Sequence, residues 1–103
     1  MKELQDRIGR WQRGTFPEST SLSKIEHTEL ELVELSKEIK SGTHEGKSNE
    51  LADCFILLLG IADLEQIDIE KAIEKKFEEI QKRTWGKASP TGVYFHEKEV
   101  VNE

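Results

Sequence analysis

The chain is poor in the residues that stiffen, cross-link or span. A single cysteine, Cys54, excludes an internal disulfide and every multi-cysteine metal site. Only two prolines and seven glycines occur in 103 residues, so neither a proline-rich linker nor a low-complexity tract is present. Hydrophobic residues make up 35%, below the share typical of a globular domain, and charged residues make up another 35%. A short chain with so little apolar material builds a thin core, and self-association is expected. Basic charge is also short. Acids outnumber bases 21 to 15, for a net charge of −6, which argues against a nucleic-acid polymer or an anionic membrane as partner. No apolar run reaches the ~18 residues of a membrane span. The segment MKELQDRIGR reads as no signal peptide, so a soluble cytoplasmic protein is the expectation.

What is present is helical periodicity, and the fold class expected is all-α. The pattern places helices over about 3–13, 22–40, 48–66 and 68–84, as one domain of 1–103 with a short extended tail over 86–103. Leu4, Ile8 and Trp11 form a stripe on the first helix. Ser23 and Glu26 fit a capping box opening the second, whose face would carry Leu22, Ile25, Leu32, Leu35 and Ile39. Ile69, Ile73, Phe77 and Ile80 form the expected buried stripe of the fourth. Val93-Tyr94-Phe95 reads as a short strand or an ordered tail. From Leu51 to Ala62 every residue is apolar or glycine except Asp53. A helix apolar all round is buried on all sides, which points to a subunit interface or to the centre of a bundle.

Carboxylates three apart share a helix face and can hold one divalent cation between them. With 17 glutamates in the chain the bare pattern is weak, so context must sort the pairs. Glu31 and Glu34 lie within Leu30-Glu31-Leu32-Val33-Glu34-Leu35, and Glu50 and Asp53 open the most apolar stretch. Burying an unpaired carboxylate costs several kcal/mol, so Asp53 must be neutralised, hydrogen-bonded or metal-bound. If the second and third helices pack antiparallel, all four acids converge. Oxygen ligands favour Mg²⁺ or Mn²⁺, and hard cations commonly serve phosphate substrates. The other reading is a solvated helix surface paired with Lys37 or Lys47. Lys76, Ile80 and Arg83 fall on one line of the fourth helix, followed by Trp85, and a Lys and an Arg there suit phosphate oxygens. Trp11, Phe16, Tyr94 and Phe95 are candidates for stacking on a base, with Trp11 assigned to the core and Phe16 kept as a substrate-binding candidate. His27 shares a line with Glu31 and Glu34, and Cys54 reads as packing.

Glu31-x-x-Glu34, fifteen intervening residues, then Glu50-x-x-Asp53 resembles the MazG-like all-α nucleoside triphosphate pyrophosphohydrolases, whose hallmark is an ExxE helix followed by an ExxD helix. The matching text is ELELVELSKEI and NELADCFILLLGIADLEQIDIEKAIEKKFEEIQKRTWG. The opening WQRGTFPEST resembles the dATP/dGTP pyrophosphohydrolase subgroup of phage and prophage genomes. The resemblance implies a helical bundle that cleaves a (deoxy)nucleoside triphosphate to monophosphate and pyrophosphate. It implies Glu31, Glu34, Glu50 and Asp53 as Mg²⁺ ligands, with Glu34 or Glu50 also positioning the attacking water. Lys76, Arg83 and Trp85 match a family segment Lys-x3-Asn-x2-Arg-x-Trp, in which Ile80 departs from the Asn. Family members are usually homodimers or homotetramers. Rival readings are a pyrophosphohydrolase for another nucleotide, such as phosphoribosyl-ATP, and a non-catalytic helical oligomerisation module. A di-iron carboxylate bundle wants Glu-x-x-His pairs, which neither motif contains.

Overall fold

The computed structural model describes residues 1–97, so the expected tail is seen only in part. Four helices follow one another: α1 (Lys2–Thr15), α2 (Ser21–Ser41), α3 (His44–Leu64) and α4 (Ile69–Gln81). No strand occurs among the described residues, and the all-α expectation holds. Contacts divide the chain into a unit Met1–Glu70 and a unit beginning at Lys71.

In the first unit α1 and α2 both pack on α3. The start of α2 is set by Thr20, one turn before the predicted cap. Its Oγ1 accepts from the Ser23 amide at 3.1 Å, and its own amide donates to Ser23 Oγ at 2.9 Å. Glu26, expected to close that box, is exposed within the helix. Thr43 caps α3, accepting from the Gly46 amide at 3.0 Å, so α3 begins four residues earlier than the apolar run suggests. The apolar core is small and lies along α3: Cys54, Leu57, Leu59 and Ala62.

The buried lines of α1 and α2 are polar, contrary to the stripes read from the sequence. On α1 the inward residues are Gln5, Gly9 and Gln12, while Leu4 and Trp11 are exposed. On α2 they are Lys24 and Thr28, and Leu22, at 78% exposure, lies outside. Each inward polar residue of α1 has a structural reason. Gln5 is 1% exposed and splices the turn after α3: its Nε2 donates to the Ile67 carbonyl at 2.7 Å and its Oε1 accepts from the Ile69 amide at 3.1 Å. Gly9 leaves room for the Asp63 carboxylate, which a Cβ there would strike. Gln12 donates to the Ile56 carbonyl at 3.3 Å and lies against Gly60, whose missing Cβ makes that approach possible.

Helix α3 is not buried all round within this chain. Leu51, Phe55, Ile56 and Leu58 are exposed, and so is Asp53, expected to be buried. The physical reason is that α1 and α2 cover only part of its circumference.

In the second unit Ile73 and Phe77 of α4 are exposed, so its expected stripe is not buried either. The chain after α4 turns back on itself instead of forming a strand. The Gly86 amide donates to the Phe95 carbonyl at 3.0 Å, the Glu97 amide to the Thr84 carbonyl at 2.7 Å, and Gly92 takes φ +85° at the reversal. Residues 98–103 of the predicted tail lie outside the described residues.

Candidate active site

Packing of α2 on α3 brings Glu31, Glu50 and Asp53 together, with one ligand oxygen of each within 4.8 Å of the others. Glu50 and Asp53 come from successive turns of α3, and Glu31 faces them from the middle of α2. Three like charges so close cannot all ionise freely. The Glu50 carboxyl is pushed up to about 7, first by its hydrogen bond with Glu31, then by burial, then by repulsion from Glu31, Asp53 and Glu34. That hydrogen bond needs a proton on one of the two carboxyls. Once both ionise, Glu50 Oε2 is a buried acceptor with no donor. His27 Nε2 lies 3.4 Å from Glu31 Oε1.

The fourth predicted ligand, Glu34, is not in the group of three. Its carboxylate lies 3.3 Å from Lys37 Nζ on an exposed face, one turn further along α2. It is still near enough to add to the repulsion on Glu50. Cys54 is buried beside the acids, and burial, then Glu31, Glu50 and Asp53, push its thiol up. That favours the neutral thiol and fits packing rather than nucleophilic chemistry.

Two of the acids, Glu31 and Asp53, open onto a cleft of about 560 Å³, walled also by Trp11, Phe16, Lys24 and His27 among others. Trp11 is therefore a cleft residue and not a core one. Its ring meets Phe16 edge to face, with centroids 5.4 Å apart. Phe16 lines the same cleft. Lys24 and Gln12, both 5% exposed, also line the cleft, and reading apolar periodicity missed both. The signal was a polar period: Gln5, Gly9 and Gln12 recur at i, i+4, i+7 on α1, and Lys24, Thr28 and Glu31 do so on α2.

Lys76, Arg83 and Trp85 belong to the second unit. Lys76 Nζ lies 3.7 Å from Glu79, both half-exposed. The Trp85 indole donates to the Ile80 carbonyl at 3.3 Å, and its ring meets His96 edge to face at 6.2 Å. The Arg83 amide donates to the same carbonyl at 3.2 Å. Ile80, at the position where the family segment carries Asn, thus serves the turn through its backbone.

No protein-family model matches the chain, and no curated protein does. Among solved structures it is similar to the cyanophage S-2L MazG-like pyrophosphohydrolase bound to dGDP and three catalytic Mn²⁺ ions per active site. The likeness covers 95% of this chain and 93% of that one, with a TM-score of 0.79 and 28% identity. The chain thus shares its fold with a MazG-like pyrophosphohydrolase. No described helix is long and apolar enough to cross a membrane. The three acids fit a divalent cation on their own chemistry: all-oxygen donors, mutual repulsion and an orphaned buried acceptor.

Proposed function

We propose that this MazG-like chain is a nucleotide pyrophosphohydrolase that converts a (deoxy)nucleoside triphosphate to its monophosphate and pyrophosphate with Mg²⁺ or Mn²⁺. The observation that carries the reading is the meeting of Glu31, Glu50 and Asp53 at the mouth of a nucleotide-sized cleft. A chain of net charge −6 repels a triphosphate unless cations intervene. Glu31, Glu50 and Asp53 would hold a divalent ion, which would supply charge neutralisation for the phosphates and activation of water. Water adds across the α–β anhydride. Its oxygen joins one phosphorus, the bridging oxygen leaves with the other, and a carboxylate takes the proton.

Glu31, Glu50 and Asp53 act as ligands in this reading, and Glu34 joins them by leaving Lys37, an exposed pair worth little. Either Glu34 or Glu50 orients the water. Phe16 packs on the base, while Lys76, Arg83 and Trp85 bind substrate, as the family segment suggests. The exposed apolar face of α3, with Leu51, Phe55 and Leu58, supports a homodimer or homotetramer. The deoxynucleotide preference of the phage-type subgroup and a cytoplasmic place beside the nucleotide pool belong to the same proposal.

The test is release of pyrophosphate from a panel of nucleotides, phosphoribosyl-ATP included, with Mg²⁺ or Mn²⁺. Turnover of a nucleoside triphosphate that vanishes in Glu50→Gln is expected. A folded protein with no turnover on any member, and the same Mn²⁺ affinity with and without Glu50→Gln, would leave only an oligomerisation module.

A further inference from the structure

Helix α2 carries two side-chain pairs of one turn each, and they stand in different surroundings. Lys37 and Glu34 are both more than half exposed. Such a pair contributes little. His27 and Glu31 instead line the cleft together with Asp53, and the Glu31 side chain is only 22% exposed. This second pair includes an acid of the candidate metal site, and the hydrolysis gives its histidine no part.

Glu31 is the member of the three acids that has to reach across from another helix. Glu50 and Asp53 share a face of α3 by their spacing alone, whereas Glu31 comes from α2. A glutamate turns about several side-chain bonds, and ordering it weakens the binding of any ligand for which the protein has not ordered it beforehand. Repulsion from Glu50 and Asp53 adds to this, driving an ionised Glu31 out of the cluster toward water. In the metal-free chain a hydrogen bond with Glu50 holds it. That bond needs a proton, and two carboxylates ligating one ion keep none between them. Among the described residues the polar contact then left to Glu31 is His27 Nε2, 3.4 Å from its Oε1.

Helix geometry makes this contact. A histidine four residues before a glutamate lies about 6 Å away along the axis, on the same face. Side chains lean toward the helix N-terminus, so Glu31 leans toward His27. The imidazole stops short of the metal site itself: the ligand atoms of Glu31, Glu50 and Asp53 lie within 4.8 Å of one another, and His27 is not in that group. It is placed to donate to a ligand, not to be one. Neutral imidazole with its proton on Nε2 and imidazolium both supply the donor, so the role does not depend on the charge of the ring. A donor on one carboxylate oxygen leaves the other for the cation.

We infer that His27 is a positioning residue: its Nε2–H holds Glu31 Oε1 and so presents that carboxylate to a divalent cation shared with Glu50 and Asp53. The role rests on the metal-dependent hydrolase reading for the ion, and His27 acts only through Glu31.

The experiment is calorimetric titration of Mn²⁺ into the full chain and into its His27→Leu and His27→Gln variants. Leucine keeps bulk on the helix face and offers no donor. Glutamine carries its amide nitrogen as many bonds from Cβ as histidine carries Nε2, and that nitrogen donates. Mn²⁺ affinity is expected to fall at least about ten-fold in His27→Leu and to return toward the wild-type value in His27→Gln. Thermal unfolding without divalent ions should be the same in all three proteins, because the imidazole is more than half exposed. Electron paramagnetic resonance of the bound Mn²⁺ should show no directly ligated imidazole nitrogen. Unchanged affinity in His27→Leu, an equal loss in His27→Gln, an unfolding midpoint that falls with the affinity, or a nitrogen bound directly to Mn²⁺ overturns the assignment. So does a wild-type chain that binds no Mn²⁺. Pyrophosphate release is measured separately. The expected order of affinities without turnover of any nucleotide would sink the hydrolase reading alone, and turnover with Mn²⁺ affinity indifferent to His27 would sink the positioning role alone.

Discussion

The two ends of the cleft are unsatisfied in different ways. At one end Glu31, Glu50 and Asp53 offer too many acceptors of one charge. At the other, Gln12 Oε1 and Asp63 Oδ2 are buried acceptors without a hydrogen bond, and Arg13 Nε lies 3.1 Å from the latter. Repulsion at the first is relieved by a cation, whereas at the second the Arg13 guanidinium already offsets the charge of Asp63. The difference teaches that a buried polar residue is informative according to what it lacks. Gln5 makes the point by contrast: it is as buried as Gln12 and on the same line of α1, yet both ends of its amide are bonded. Gln5 is bonded at both ends, and Gln12 only through its Nε2.

The largest effect expected is at the acidic end. Losing a partner of a metal ligand typically costs about 10–100-fold, so removing a ligand outright, Glu50→Gln or Asp53→Asn, should lower turnover by more than about 100-fold. Steady-state pyrophosphate release checks it, and near-normal turnover in Asp53→Asn would break the comparison at that end. Next comes Gln5→Ala. It strands the Ile67 carbonyl and the Ile69 amide and should cost about 2 kcal/mol in urea unfolding. A loss no larger than that of an exposed substitution would remove Gln5 from the architecture.

The third prediction concerns pH. Glu50 holds its proton up to about 7, above the usual carboxylate range. Between its ordinary pKa and about 7 the folded chain then binds more protons than the unfolded one, so stability falls as pH rises. Thermal unfolding in the absence of divalent ions should show a midpoint that declines from pH 5 to pH 7, and Glu50→Gln should flatten that slope. Asp53→Asn should raise the midpoint at pH 7 by removing one of the repelling charges. The smallest effect is at Lys37, whose exposed pair with Glu34 contributes less than about 1 kcal/mol, so Lys37→Ala should leave unfolding almost unchanged.

The acidic end was legible in the sequence because three-residue spacing fixes a shared helix face whatever packs against it. Glu50-x-x-Asp53 and Glu31 needed only the antiparallel packing of α2 and α3 to meet. Glu34 follows the same spacing one turn further along α2, where its carboxylate lies 3.3 Å from Lys37 Nζ and still adds to the repulsion on Glu50. The polar end was not legible from apolar periodicity. Leu4, Ile8 and Trp11 do share a face, but periodicity reports which residues lie together, not which face turns toward the rest of the chain. Gln5, Gly9 and Gln12 won the inward position because α3 and the turn after it present carbonyls, an amide and a carboxylate there, and a leucine could satisfy none of them. The cap at Thr20 was missed for a smaller reason: Ser23 is in the box, but as the third helical residue and not as the cap.

The most direct test of the central claim is calorimetric titration of Mn²⁺ into the wild-type chain and into Glu50→Gln near pH 7. Saturable binding with proton release in the wild type, absent or at least about 100-fold weaker in the variant, is the predicted result. Equal Mn²⁺ affinity in the two proteins, or no binding by the wild type, would contradict it.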